Sequence, residues 1–131
     1  MAMNTAPAPR PPLAAALRGL AVGRIVLGAA AIAAPRTLTA AFRIRATPEL
    51  TYMTRIFGAR AIALGLGYLT APAAERPRWQ RLSLLVDIID TSHGTAHLAR
   101  GDVPRPAAIA MVAMTGSYMT VGATRLIRDL H

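Results

Sequence analysis

The chain has no cysteine, no lysine and few aromatic residues. Without cysteine it can hold no disulfide framework, no thiolate metal site and no cysteine nucleophile, and the absence does not identify a redox compartment. All 15 basic residues are arginine, against 6 acidic ones, for a net charge of +9. Such a charge invites a nucleic-acid reading. Aromatics make up only 5% of the chain, too few to stack a run of bases, and the arginines are scattered rather than gathered on one helix. Nucleic acid is therefore excluded as a partner. There is no HExxH pattern, and Gly65-x-Gly67 has neither a preceding strand nor a following basic phosphate ligand. Ser92 and His93 are neighbours in sequence and make no triad by themselves. Arginine in place of lysine, with abundant Ala, Gly and Pro, points to a GC-rich bacterial genome.

What the chain does have is apolar length. Hydrophobic residues make up 53% of 131 residues, enough for one domain. The mean hydropathy of +0.38 lies between soluble and membrane values, so the distribution has to decide. Residues 1–12 carry Pro7, Pro9, Pro11 and Pro12 and read as a disordered Pro/Ala-rich tail. Arg18 and Arg24 interrupt the apolar run that follows, which favours an uncleaved first span over a signal peptide. Four apolar segments then occupy roughly 13–34, 50–71, 82–99 and 107–127. Residues 107–124 have no charge and meet the length a membrane helix needs.

The connections between the segments carry the charge. Residues 36–49 hold Arg36, Arg43 and Arg45 and allow a short interfacial helix. Thr47 and Pro48 read as an N-cap and first turn. Residues 72–81 read as a loop in which Trp79 is an interfacial anchor. Gly101 and the two prolines of 100–106 break the chain before the last segment, which ends in water at Arg125, Arg128, Asp129 and His131. Gly19 and Gly23 form a GxxxG that allows close helix approach. Leu27–Gly28 stands the same distance before Pro35 as Leu64–Gly65 stands before Pro72, a faint internal echo.

The segments expected to lie deepest contain charge. Asp87, Asp90, His93 and His97 fall within a sector of about 120° on one helix. Unpaired charge on an apolar helix is costly, about 2.5–3.5 kcal/mol per central Arg or Asp. Arg24, Arg55 and Arg60 are the available partners. Counting depth at about 1.5 Å per residue in antiparallel neighbours pairs Arg60 with Asp90 and Arg24 with Asp87. It leaves Arg55 to snorkel or to contact His97. A structural lattice that sets helix register is the leading reading of these seven residues. A pocket for a small ligand or lipid headgroup is the next, ahead of proton passage. A metal at Asp90, His93 and His97 has helical spacing in its favour and the adjacent arginines against it. No catalytic residue, metal or cofactor is assigned.

GRIVLG at 23–28, RIFGARAIALG at 55–65 and the D-x-x-D of 87–90 resemble small four-span bacterial membrane proteins, similar to the DoxX-like class, over about residues 20–127. The resemblance implies a four-span architecture with Arg24, Arg60, Asp87 and Asp90 at its motif positions. It implies no catalytic residue and does not extend to His93 and His97.

The expectation is an all-α protein, an antiparallel four-helix transmembrane bundle filling residues 13–131. It would be a multi-pass protein of the bacterial inner membrane, either accessory or scaffolding or binding a small ligand at the Arg/Asp/His centre. Its partners would be the bilayer and possible small ligands or membrane proteins. Seven arginines (10, 18, 76, 78, 81, 125, 128) against five (36, 43, 45, 100, 105) favour cytoplasmic termini. The competing classes are a membrane-embedded enzyme using Asp90 and His97 as acid and base, and a soluble helical bundle binding an apolar ligand.

Overall fold

The computed structural model describes residues 10–131. Among these the chain is all-helical: α1 (Pro11–Ala33), α2 (Pro35–Ala41), α3 (Pro48–Thr70), α4 (Arg76–Arg100) and α5 (Arg105–Leu130). Each helix has proline in its first two positions. There the missing N–H is an orphan in any case, and the fixed φ is already helical. The prolines therefore start helices here more than they break them.

Two expected boundaries move for this reason. Pro11 and Pro12 open α1 instead of closing a tail, and residues 1–9 of that tail lie outside the described residues. Residues 76–81 are the first turns of α4 rather than loop. The cap on α3 is the expected one: the Thr47 hydroxyl accepts from the Leu50 amide at 3.1 Å. Gly101, at φ 68°, ends α4. The expected short helix after the first segment is α2. It closes with amides of Arg43 and Ile44 on the carbonyls of Ala40 and Thr39, a Schellman motif with arginine at its left-handed position, φ 58°.

The long helices pack mainly as two antiparallel pairs, α1 with α3 and α4 with α5. The pairs meet through α3 against α4 and α1 against α5. The α1–α3 approach does not use Gly19 and Gly23. A Cβ on Gly19 would meet nothing within 4 Å, and one on Gly23 would face the Tyr118 hydroxyl of α5. The close contacts are Gly28 on Gly58 and Gly65 on Ala21, where an added Cβ would come within 2.5 Å of a facing carbonyl oxygen. The echo of Gly28 and Gly65 has a geometric meaning. A shift of 37 residues carries Gly28 onto Gly65, Ile25 onto Ile62 and Ala21 onto Gly58. The same shift carries the contact of Gly28 with Gly58 and Ile62 onto that of Gly65 with Ala21 and Ile25. The helix pair thus has a local two-fold.

Trp79, expected as an interfacial anchor, packs on Gly67 near the end of α3. Its ring lies within 2.7 Å of where a Gly67 Cβ would stand.

The side chains are sorted the reverse of a water-soluble core. Among the described residues Ala and Gly make up about half of the buried set, with Leu13, Leu17 and Leu84 its large aliphatic members. It also includes Arg24, Asp87, Thr39, Gln80, Ser83, Thr115 and Arg125. Val26, Ile56, Leu85, Ile89 and Ile109 face outward. Among the described residues two helices are long and apolar enough to cross a membrane, α1 and α5. Arg55 and Arg60 in α3, and Asp87, Asp90 and the two histidines in α4, lower the hydropathy of the other two.

Candidate functional site

The buried stripe of α1 runs Leu13, Leu17, Ala21, Arg24, Gly28, Ala31, a helical spacing of three and four. Arg24 occupies a position on it where an apolar side chain would serve. Its partner occupies the equivalent place on α4, where Gln80, Ser83, Leu84 and Asp87 are buried. Arg24 Nη2 donates to Asp87 Oδ2 at 2.5 Å. Arg24 is 8% exposed and Asp87 2%. The backbones of α1 and α4 do not pack against each other, so the long arginine side chain spans the gap. Its guanidinium also lies over the Tyr118 ring of α5, 4.8 Å from the centroid. Three helices are tied at one point, and the charge is met on one side by a carboxylate and on another by a π face.

The second pair sits toward the outside. Arg60 Nη2 donates to Asp90 Oδ2 at 2.8 Å, with the side chains 44% and 26% exposed. The Arg60 guanidinium lies 5.6 Å from the Phe57 ring centroid. This link joins α3 to α4. On the other flank of α4, the Thr91 hydroxyl donates to Thr115 of α5 at 3.0 Å, and Thr115 donates onward to the Met111 carbonyl. Helix α4 is thus connected to α1, α3 and α5 by three different polar contacts.

Both ion pairs expected from depth are the ones formed. The remaining expected site residues do not converge on them. Arg55 does not reach His97; its Nε donates to the Ile32 carbonyl at 3.4 Å, against the exposed carbonyls that end α1, a favourable place for a cation. His93 Nδ1 lies 2.9 Å from the Ile89 carbonyl of its own helix. His97 Nδ1 lies 2.8 Å from Asp102 Oδ1 beyond the end of α4, and Arg100 Nε donates to the other carboxylate oxygen at 3.2 Å. Hydrogen bonds from His97 and then Arg100 hold the Asp102 carboxyl below its ordinary value of 3.8. The four acidic and histidine residues of one sector therefore have four separate partners. Asp90 and His97 are bound to different groups. Among the described residues no group of three His, Asp or Glu is placed to hold a metal ion.

Three features escaped the sequence reading. Arg125 and Asp129 are not in water: Arg125 Nε donates to Asp129 Oδ1 at 2.9 Å with both side chains buried. The signal was present, because Thr115, Gly122, Arg125 and Asp129 follow one helical stripe. Tyr118 lies in the uncharged last segment, and nothing in the sequence places its ring over Arg24. The third is an apolar pocket of about 230 Å³ bounded by α1, α2, α3 and α5. Among the described residues no buried side-chain nitrogen or oxygen lacks a hydrogen-bond partner, so the interior polar network is internally satisfied.

No protein-family model, curated protein or solved structure matches the chain.

Proposed function

We propose that the protein is a four-span integral membrane protein of the bacterial inner membrane, in an accessory or scaffolding role, with Arg24–Asp87 and Arg60–Asp90 setting the register of its helices. The observation that carries this reading is the inverted burial, with arginine, aspartate and small residues inside and Val26, Ile56, Leu85 and Ile89 outside. In water so much exposed aliphatic surface would aggregate. In a bilayer it is the solvated surface, and small residues inside allow helices to approach without a hydrophobic drive. The charges that lower the hydropathy of α3 and α4 have partners within the protein, which reduces their cost in lipid. The resemblance to DoxX-like proteins supports the same four-span arrangement.

A ligand at the polar centre is the second reading, and the half-exposed Arg60–Asp90 pair is what favours it. Against a ligand at Arg24 stands the enclosure of its guanidinium by Asp87 and Tyr118. The acid–base pairing of Asp90 with His97 has no geometric support, because each is bonded to a different group.

The absence of native cysteine makes topology directly measurable. Single replacements Ala46→Cys, Ala74→Cys and Val103→Cys sample the three connections between long helices. With cytoplasmic termini, a membrane-impermeant maleimide labels positions 46 and 103 in intact spheroplasts, and position 74 only after permeabilisation. Labelling of 46 and 74 from the same side would rule out α3 as a span. Release of the chain by alkaline carbonate would remove the membrane reading altogether.

A further inference from the structure

We propose that the pocket between α1, α2, α3 and α5 binds the acyl chain of an anionic phospholipid, with its headgroup at Arg36, Arg43 and Arg45. The proposal rests on the membrane reading above.

The pocket, about 230 Å³, is lined by Leu27, Phe42, Ile44, Met53, Phe57 and Met114 among others. Two threonines also line it, yet their hydroxyls are engaged: Thr39 donates to the Arg36 carbonyl and Thr54 to the Leu50 carbonyl. The walls therefore offer an occupant almost no hydrogen bond, which rejects a polar metabolite and suits a hydrocarbon chain. The space exceeds the roughly 150 Å³ apolar cavity that stays dry and accepts benzene. Its methionine thioethers adapt to an irregular flexible guest.

Charge close to the pocket in the chain selects the kind of lipid. Leu38, Phe42 and Ile44 line the pocket; Arg43 and Arg45 flank Ile44, Arg36 stands two residues before Leu38, and all three arginines are exposed. The nearest acid in this stretch is Glu49, so the stretch from Arg36 to Glu49 carries net positive charge. The turn that ends α2 produces the arrangement. The amides of Arg43 and Ile44 fold back on Ala40 and Thr39, so that Phe42 and Ile44 both face the pocket while Arg43 between them is exposed. A zwitterionic headgroup would gain little from these arginines, and an anionic one gains from each of them.

Phe42→Trp places a fluorophore in the pocket wall, and the unaltered chain, with Trp79 alone, is the reference. Both are reconstituted in phosphatidylcholine vesicles containing a minor fraction of acyl-brominated phosphatidylglycerol or of acyl-brominated phosphatidylcholine. The fluorescence of the introduced indole should be quenched at an anionic lipid fraction lower by at least roughly fivefold, the factor that one arginine at a charged surface supplies. That preference should disappear in the combined variant Arg36→Gln, Arg43→Gln, Arg45→Gln, whose three positions are exposed and leave the packing intact. Equal quenching by the two lipids would overturn the site, since it describes an apolar face in ordinary contact with the bilayer. Absence of quenching by either would overturn it too. A preference that survives loss of the arginines would remove their headgroup role. A chain that fails to float with the vesicles would instead refute the membrane reading, which distinguishes the two failures.

Discussion

Asp87→Asn keeps the shape of the side chain and removes its charge. Arg24 then remains 8% exposed, with only the Tyr118 face at 4.8 Å and the neutral amide oxygen to meet its guanidinium. Removing one member of a buried pair leaves the other charge uncompensated and costs about 3–5 kcal/mol. A cation–π contact offsets no more than about 0.5–2 kcal/mol of that. The net loss expected is on the order of 1–4.5 kcal/mol, a large part of the stability of a domain this size. Replacing both partners by apolar residues of similar volume, Arg24→Met with Asp87→Leu, should restore much of it, because the penalty arises from the unpaired charge and not from loss of attraction. The assay is equilibrium unfolding in mixed micelles, with helicity as the readout for wild type, each single variant and the double. Single-variant losses that simply add in the double would refute the pairing argument. So would an Asp87→Asn change below about 1 kcal/mol, the range of an exposed pair.

The Arg60–Asp90 pair is half-exposed, so Asp90→Asn in detergent should cost only about 0–1 kcal/mol by the same unfolding assay; a loss as large as that of Asp87→Asn would place the pair in a drier setting than its geometry describes. Gly28→Ala sets a methyl group 2.5 Å from the Gly58 carbonyl oxygen and should lower stability by about 1–3 kcal/mol. Gly19→Ala meets nothing within 4 Å and should raise it by up to about 1 kcal/mol through helix propensity; thermal melts of the two should shift in opposite directions. Asp102 is held below 3.8 by His97 and Arg100, so its contribution to stability is present above that ordinary value and fades as pH falls through the lowered one. Carboxyl chemical shifts should report this depressed midpoint, and His97→Ala should return it toward 3.8; an unmoved midpoint would sever the link.

Much of this protein follows from local pattern. Helix starts are marked by prolines because a first-turn residue needs no N–H, and the Thr47 cap needs only its neighbours. The two Arg–Asp pairs also follow from sequence, because the rise per residue in a helix is constant and opposite charges at matched depth have few other partners. Depth alone says nothing about rotation. Only the packed helices show that Gly28 and Gly65 make the close approach while Gly19 and Gly23 do not. The same holds for Arg55 on the end of α1, Trp79 on Gly67 and the burial of Arg125 and Asp129. Each depends on which face a neighbouring helix covers, a choice made jointly by all the helices. The stretch 82–99 supplies the acids and its spacing aligns them on one side of α4. The separation of Asp87 into a dry three-helix contact and Asp90 into a half-open one was decided by tertiary packing, because Arg24 of α1, covered by Tyr118 of α5, meets the first and the half-exposed Arg60 of α3 meets the second.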